Sequence, residues 1–223
     1  MAVHGSTLVA AELLVAVGIL AIGVPLTFDA LETLGLHKRL IGVMDVEARG
    51  SAPAESVVRL EREVPRTEGG QKDLAFSLLA LADNPVRAEP EKLALIDSAV
   101  GHFRSYVAKV PGDGAAWAGL AAAELADGHT DRAAAALKAS ILATPWSPSL
   151  VTWRCSLGIA LFGKLDDEGR ELMQGQFRLQ VNRSVAELVN MVVDRNAVRL
   201  ARILLAPSPD ELIVFESELA RRR

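Results

Sequence analysis

Residues 13–26 form an unbroken apolar run with no polar position at every third or fourth place, and the wider stretch 7–26 carries one charge, Glu12, near its start. A core helix keeps a polar stripe toward solvent, so this pattern predicts a membrane-spanning helix. Its twenty residues reach about 30 Å at helical rise, the thickness of a hydrocarbon core. Glu12 then falls near the interface, where a charge meets only part of its midplane penalty. Met1 to Ser6 contains no Lys or Arg, so the segment reads as an uncleaved anchor rather than a secretory signal.

Beyond the anchor the apolar positions recur at helical spacing over 31–46, 55–64, 72–82 and 93–110. Gly50 to Pro53, Pro65, the pair Gly69-Gly70 and the turn-rich run 83–90 interrupt them. A shift of 34 residues brings Ala99 onto Ala133, Phe103 onto Leu137 and Pro111 onto Pro145, which marks an internal repeat. Further helices are predicted over 148–162, 168–179, 184–194, 196–206 and 209–220. Their starts carry cap signals: Ser147 before Pro148, Ser184 with Glu187, and Ser208 with Glu211 behind Pro209.

Between the two prolines stand Trp117, Leu120, Ala121, Gly128, Ala133, Leu137 and Pro145. This succession resembles the tetratricopeptide repeat: bulky residue, large residue three later, small residue, turn glycine, small, large, terminal proline. It departs at Glu124, where that family places tyrosine. The resemblance covers residues 91–180 and is specific over 112–145. It implies an all-α fold, a degenerate tetratricopeptide-like array of helical hairpins preceded by one transmembrane helix. The division expected is an anchor at 1–28, linking helices at 29–90, the repeat region at 91–180 and a C-terminal helical cap at 181–223. The resemblance also implies a partner-binding groove lined by the first helix of a pair, here Ala115, Ala118, Ala122 and Leu125. Members that grip peptide C-termini carry Lys and Asn where this chain has Ala118 and Ala122. A carboxylate clamp is therefore not expected; an alanine-lined groove suits an apolar helix from this chain or from a partner.

Composition narrows the chemistry. Of 223 residues 50% are hydrophobic and only 4% aromatic, so the core is built from small and unbranched side chains. A net charge of -4 gives no general attraction to phosphate, which argues against nucleic acid as a partner. Cys155 is alone, so no internal disulfide forms. His4, His37, His102 and His129 are scattered, and none has a second His or Cys at ligand spacing, so no metal or cofactor is expected. The string from Gly158 to Leu165 has phosphate-loop spacing but puts Leu165 where a hydroxyl must meet magnesium; it reads as a helix ending at Gly163. Asp166, Asp167 and Glu168 are expected to cap a helix start. Trp117, Trp146 and Trp153 are expected in the core. Arg195, Arg199 and Arg202 fall at i, i+4 and i+7, one face of one helix, and form a candidate anion-binding stripe.

No catalytic residue emerges, and an enzyme is not expected. The plan of anchor, degenerate repeat and terminal helices loosely resembles small anchored repeat proteins of bacterial envelope polysaccharide assembly. That likeness implies a single-pass inner-membrane adaptor that contacts the bilayer through 7–26 and a membrane or envelope protein through its repeat. It favours a periplasmic soluble domain, against Lys38 and Arg39, whose charges pull the following chain toward the cytoplasm. The alternative is a module that binds an acidic polymer or lipid, or an envelope enzyme, acting through the arginine face.

Overall fold

The computed structural model describes residues 68–85 and 87–222. The anchor at 7–26 and the helices expected over 31–46 and 55–64 lie outside the described residues. Within them the chain is all-α. The helices are α1 (Glu68–Ala82), α2 (Glu89–Lys109), α3 (Gly114–Ala126), α4 (Thr130–Ala143), α5 (Pro148–Leu161), α6 (Asp167–Asp194), α7 (Val198–Leu205) and α8 (Pro209–Ala220), with a 3-10 turn at Phe162–Lys164. No strand occurs among the described residues, and no helix there is long and apolar enough to cross a membrane.

The described residues divide into two units, 68–106 with 122–129 and 107–121 with 130–222. In the first, α1 and α2 share a core of Phe76, Leu78, Ile96, Ala99 and Phe103. The Phe76 and Phe103 rings meet edge to face with centroids 4.8 Å apart, the favoured aromatic geometry. The last turn of α3 also belongs here. Gly128 adopts a φ of 79°, the left-handed conformation that ends a helix without a Cβ clash. Its N–H donates to Leu125 O at 3.1 Å and the His129 N–H to Glu124 O at 2.8 Å, which satisfies two of the orphan carbonyls of α3. Glu124, the departure from the repeat pattern, is buried, and Arg104 donates Nε and Nη2 to its Oε1.

In the second unit α5 packs against α4 and α6, and α6 also carries α7 and α8. Asp113 caps α3, accepting from the N–H groups of Ala115 and Ala116 at 3.0 Å each. Asp166 caps α6 in the same way, from Gly169 N–H at 2.7 Å. Its pKa is lowered first by the hydrogen bond from Lys138 and then by that from Gly169. The helices expected at 168–179 and 184–194 are the two arms of α6, broken where Ser184 leaves helical geometry (φ -163°, ψ 94°). Ser184 Oγ accepts from Glu187 N–H at 3.3 Å, a true N-cap for the second arm. The Glu187 carboxylate turns to Gln180 Nε2 at 2.9 Å, in place of the reciprocal bond of a capping box. α5 and α8 begin at Pro148 and Pro209 as predicted, but neither Ser147 nor Ser208 makes a side-chain cap bond.

Candidate functional site

The site is assembled around the junction of α4 and α5. Pro145 cannot continue α4, and the chain turns through Thr144 to Ser147, closed by Ser147 N–H on Thr144 O at 3.3 Å. The turn puts Trp146 outward, with 73% of its surface exposed. This corrects the expectation that Trp146 is core. A helix-start staple would fold it back onto α5, whereas the tight turn points the other way. Trp153 is buried as expected, and Trp117 is half-buried with its indole N–H on Pro111 O at 2.8 Å.

Two buried side chains hold the turn from behind. Arg154, fully buried on α5, donates Nη1 to Thr144 O at 2.8 Å, Nη2 to Thr144 Oγ1 at 2.7 Å and to Ser140 O, and Nε to Ser140 Oγ at 3.0 Å. The carbonyls are those of the end of α4, where the helix dipole is negative, so the guanidinium acts as a cationic C-cap. No carboxylate pairs with Arg154 among the described residues. Burial accordingly pushes its pKa down to about 10, which leaves it charged at neutral pH. The neighbouring Cys155 thiol is driven far above its usual range, first by burial, so it is inert as a nucleophile. Ser140 Oγ in turn donates to Gly114 O at 2.6 Å, which brings the first turn of α3 against the last turn of α4. A Cβ at Gly114 would collide with Thr144 Oγ1, so the approach requires glycine.

Gln176, on the first arm of α6, donates Nε2 to Pro145 O at 3.0 Å and fixes the turn from the other side. Its buried Oε1 accepts no hydrogen bond from the described residues. Trp146 and Gln176 border a half-open groove of about 480 Å³, with Ile141, Leu172, Leu179 and Pro207 on its apolar walls. Glu168, Glu171 and Arg178 are charged groups at its margin. Lys138 pairs with Glu168 and Asp166, which hold its ammonium above the usual pKa, Asp166 first. Glu171 and Arg178 have no partner among the described residues, so the margin presents one charge of each sign.

The alanine face is not that groove. Ala118, Ala122 and Leu125 are buried and Ala115 is half-buried. Alanine's lack of bulk lets neighbouring backbone approach until the face is consumed as core. The arginine stripe is also not formed as expected. Asn196 adopts φ 53° and ends α6 with Ala197 N–H on Val192 O at 2.7 Å, so Arg195 caps α6 while Arg199 and Arg202 ride on α7. Arg195 is half-buried, and desolvation lowers its pKa against the opposing pull of Asp194. Arg202 forms a two-pronged pair with Glu216, at 2.6 and 3.0 Å, which raises its pKa.

The groove was missed in the sequence because its walls come from residues some sixty positions apart; only the Pro145-Trp146 step at a helix end marks it. No family model, curated protein or solved structure matches this chain.

Proposed function

We propose that this chain is a helical-repeat adaptor, tethered to a membrane by residues 7–26, that holds a membrane or envelope protein through the Trp146 groove. The observation that carries this reading is the exposure of a tryptophan on a turn clamped from within by Arg154 and Gln176. Tryptophan is the side chain most enriched at interface hot spots, and a rigid mount lowers the entropy lost on binding. The apolar walls and mixed-charge margin match the anatomy of a protein contact, an apolar centre with a polar rim. The 34-residue periodicity supports the same reading: of the three pairs it relates, Ala99 with Ala133 and Phe103 with Leu137 are fully buried, and Pro111 and Pro145 lie exposed just after helix ends. The setting implied by the resemblance is an envelope assembly such as polysaccharide synthesis or export. The arginine-face alternative draws less support, since Arg202 is neutralised by Glu216 and Arg195 stands on another helix.

The test is a photoreactive side chain at position 146, with one at the exposed Ile213 as comparison, in the full chain within native membranes. The adaptor reading predicts one discrete adduct from position 146 and none of that mass from 213. No adduct at 146, or the same products from both positions, contradicts it.

A further inference from the structure

The end of α3 gathers three ligand-bearing side chains that the groove does not use. Glu124, Asp127 and His129 stand at i, i+3 and i+5, and on a continuing helix the histidine would point well away from the glutamate. The left-handed Gly128 folds the chain back instead. His129 Nδ1 comes to 2.7 Å from Asp127 Oδ2 and 3.8 Å from Glu124 Oε2, and one ligand atom from each residue lies within 4.8 Å of the others.

We infer that these three side chains form a binding site for a divalent transition metal, zinc by its ligand types. Zinc takes imidazole nitrogen and carboxylate oxygen at 2.0–2.2 Å, so tetrahedral ligand atoms stand about 3.4 Å apart. The three ligand atoms lie within 4.8 Å of one another, with His129 Nδ1 and Asp127 Oδ2 hydrogen-bonded at 2.7 Å; a metal would take the place of that shared proton, and Asp127 and His129 would turn to open their separation and draw toward Glu124. Both are partly exposed, at 20% and 45%, and are free to adjust. Glu124 is the fixed ligand, 2% exposed. Arg104 donates to Oε1 while Oε2 faces His129, and an outer donor on the far oxygen is how a ligating carboxylate is oriented. The α3 C-terminus places the negative end of its dipole beside the cluster, which favours a cation there. Imidazole in the set favours zinc over magnesium, and water completes the fourth position.

The test is calorimetric titration of the full chain in mild detergent with zinc chloride near neutral pH, with magnesium chloride in parallel. One zinc site per chain is expected and no magnesium heat. His129→Ala and Asp127→Asn, at partly exposed positions, should weaken zinc about tenfold or more while the helical circular dichroism is unchanged; His102→Ala should leave zinc binding as it was. Absence of zinc binding by the parent chain, or an affinity that His129→Ala does not alter, overturns the site.

Discussion

Arg154 hydrogen-bonds the carbonyl of Thr144 at 2.8 Å from within α5, so a fully buried cation anchors the residue that opens the Trp146 turn. The guanidinium fork suits this place because four oxygens, from Ser140 and Thr144, lie within its reach.

Geometry, more than charge, is therefore what position 154 supplies. Arg154→Ala should cost about 3 kcal/mol through lost packing and lost charge-assisted hydrogen bonds. Arg154→Lys keeps the charge but cannot span the four acceptors, and should still cost about 2 kcal/mol. Urea denaturation of both variants measures this; full stability in the lysine variant would refute the geometric account.

The contact of Gly114 with Thr144 predicts a coupled pair. Gly114→Ala should destabilise by about 2 kcal/mol through overpacking. Adding Thr144→Ala removes the nearest of the atoms a Cβ would meet, leaving Arg154 Nη2 and the Ser140 carbonyl, so the double variant should be more stable than the sum of the two changes by about 0.5 kcal/mol. Strict additivity in a double-mutant cycle would mean that the two residues do not meet.

Three serines that look alike in sequence should behave differently. Ser184→Ala should cost about 1 kcal/mol, because its hydroxyl caps the second arm of α6. Ser147→Ala and Ser208→Ala should stay within about 0.5 kcal/mol, since neither hydroxyl caps its helix. Thermal or chemical unfolding of the three variants gives the ranking.

Asp83, in the loop between α1 and α2, carries a pH signature. Partial burial pushes its carboxyl up to about 6, against the opposing pull of Lys92. A carboxyl whose folded pKa exceeds its unfolded one stabilises the fold below the unfolded value, 3.8, and loses that contribution as pH rises through 6. At pH 7 the ionised form is thus a liability, worth about 1 kcal/mol after allowance for solvent screening of a half-exposed group. Asp83→Asn should stabilise the protein by about that amount at neutral pH and by nothing near pH 4. Denaturation midpoints at the two pH values check the sign.

The helices were largely legible because their boundaries carry local chemistry. Pro148, Pro209 and Gly128 act within one turn of themselves, and the alternation of apolar positions needs no distant partner. Arg154 was not legible, because an arginine between Trp153 and Cys155 gives no sign of whether it faces solvent or the end of another helix. Trp146 was misread because a tryptophan beside a proline fits a buried staple and an outward turn equally well. The Arg195 stripe failed on one residue: Asn196 in the left-handed conformation ends a helix that spacing alone would continue. The His129 cluster escaped a search for paired His and Cys, since its other ligands are carboxylates brought near by the Gly128 turn.

Replacement of the exposed indole tests the adaptor account most directly. Trp146→Ala removes no core contact, so thermal stability and helical content should stay within about 0.5 kcal/mol of the parent. Co-purification of an envelope protein with the full chain in mild detergent should fall about thirtyfold, the effect of losing a hot-spot residue worth about 2 kcal/mol. An unchanged yield of the same partner from a normally folded Trp146→Ala chain would contradict the assignment of the groove as the docking site.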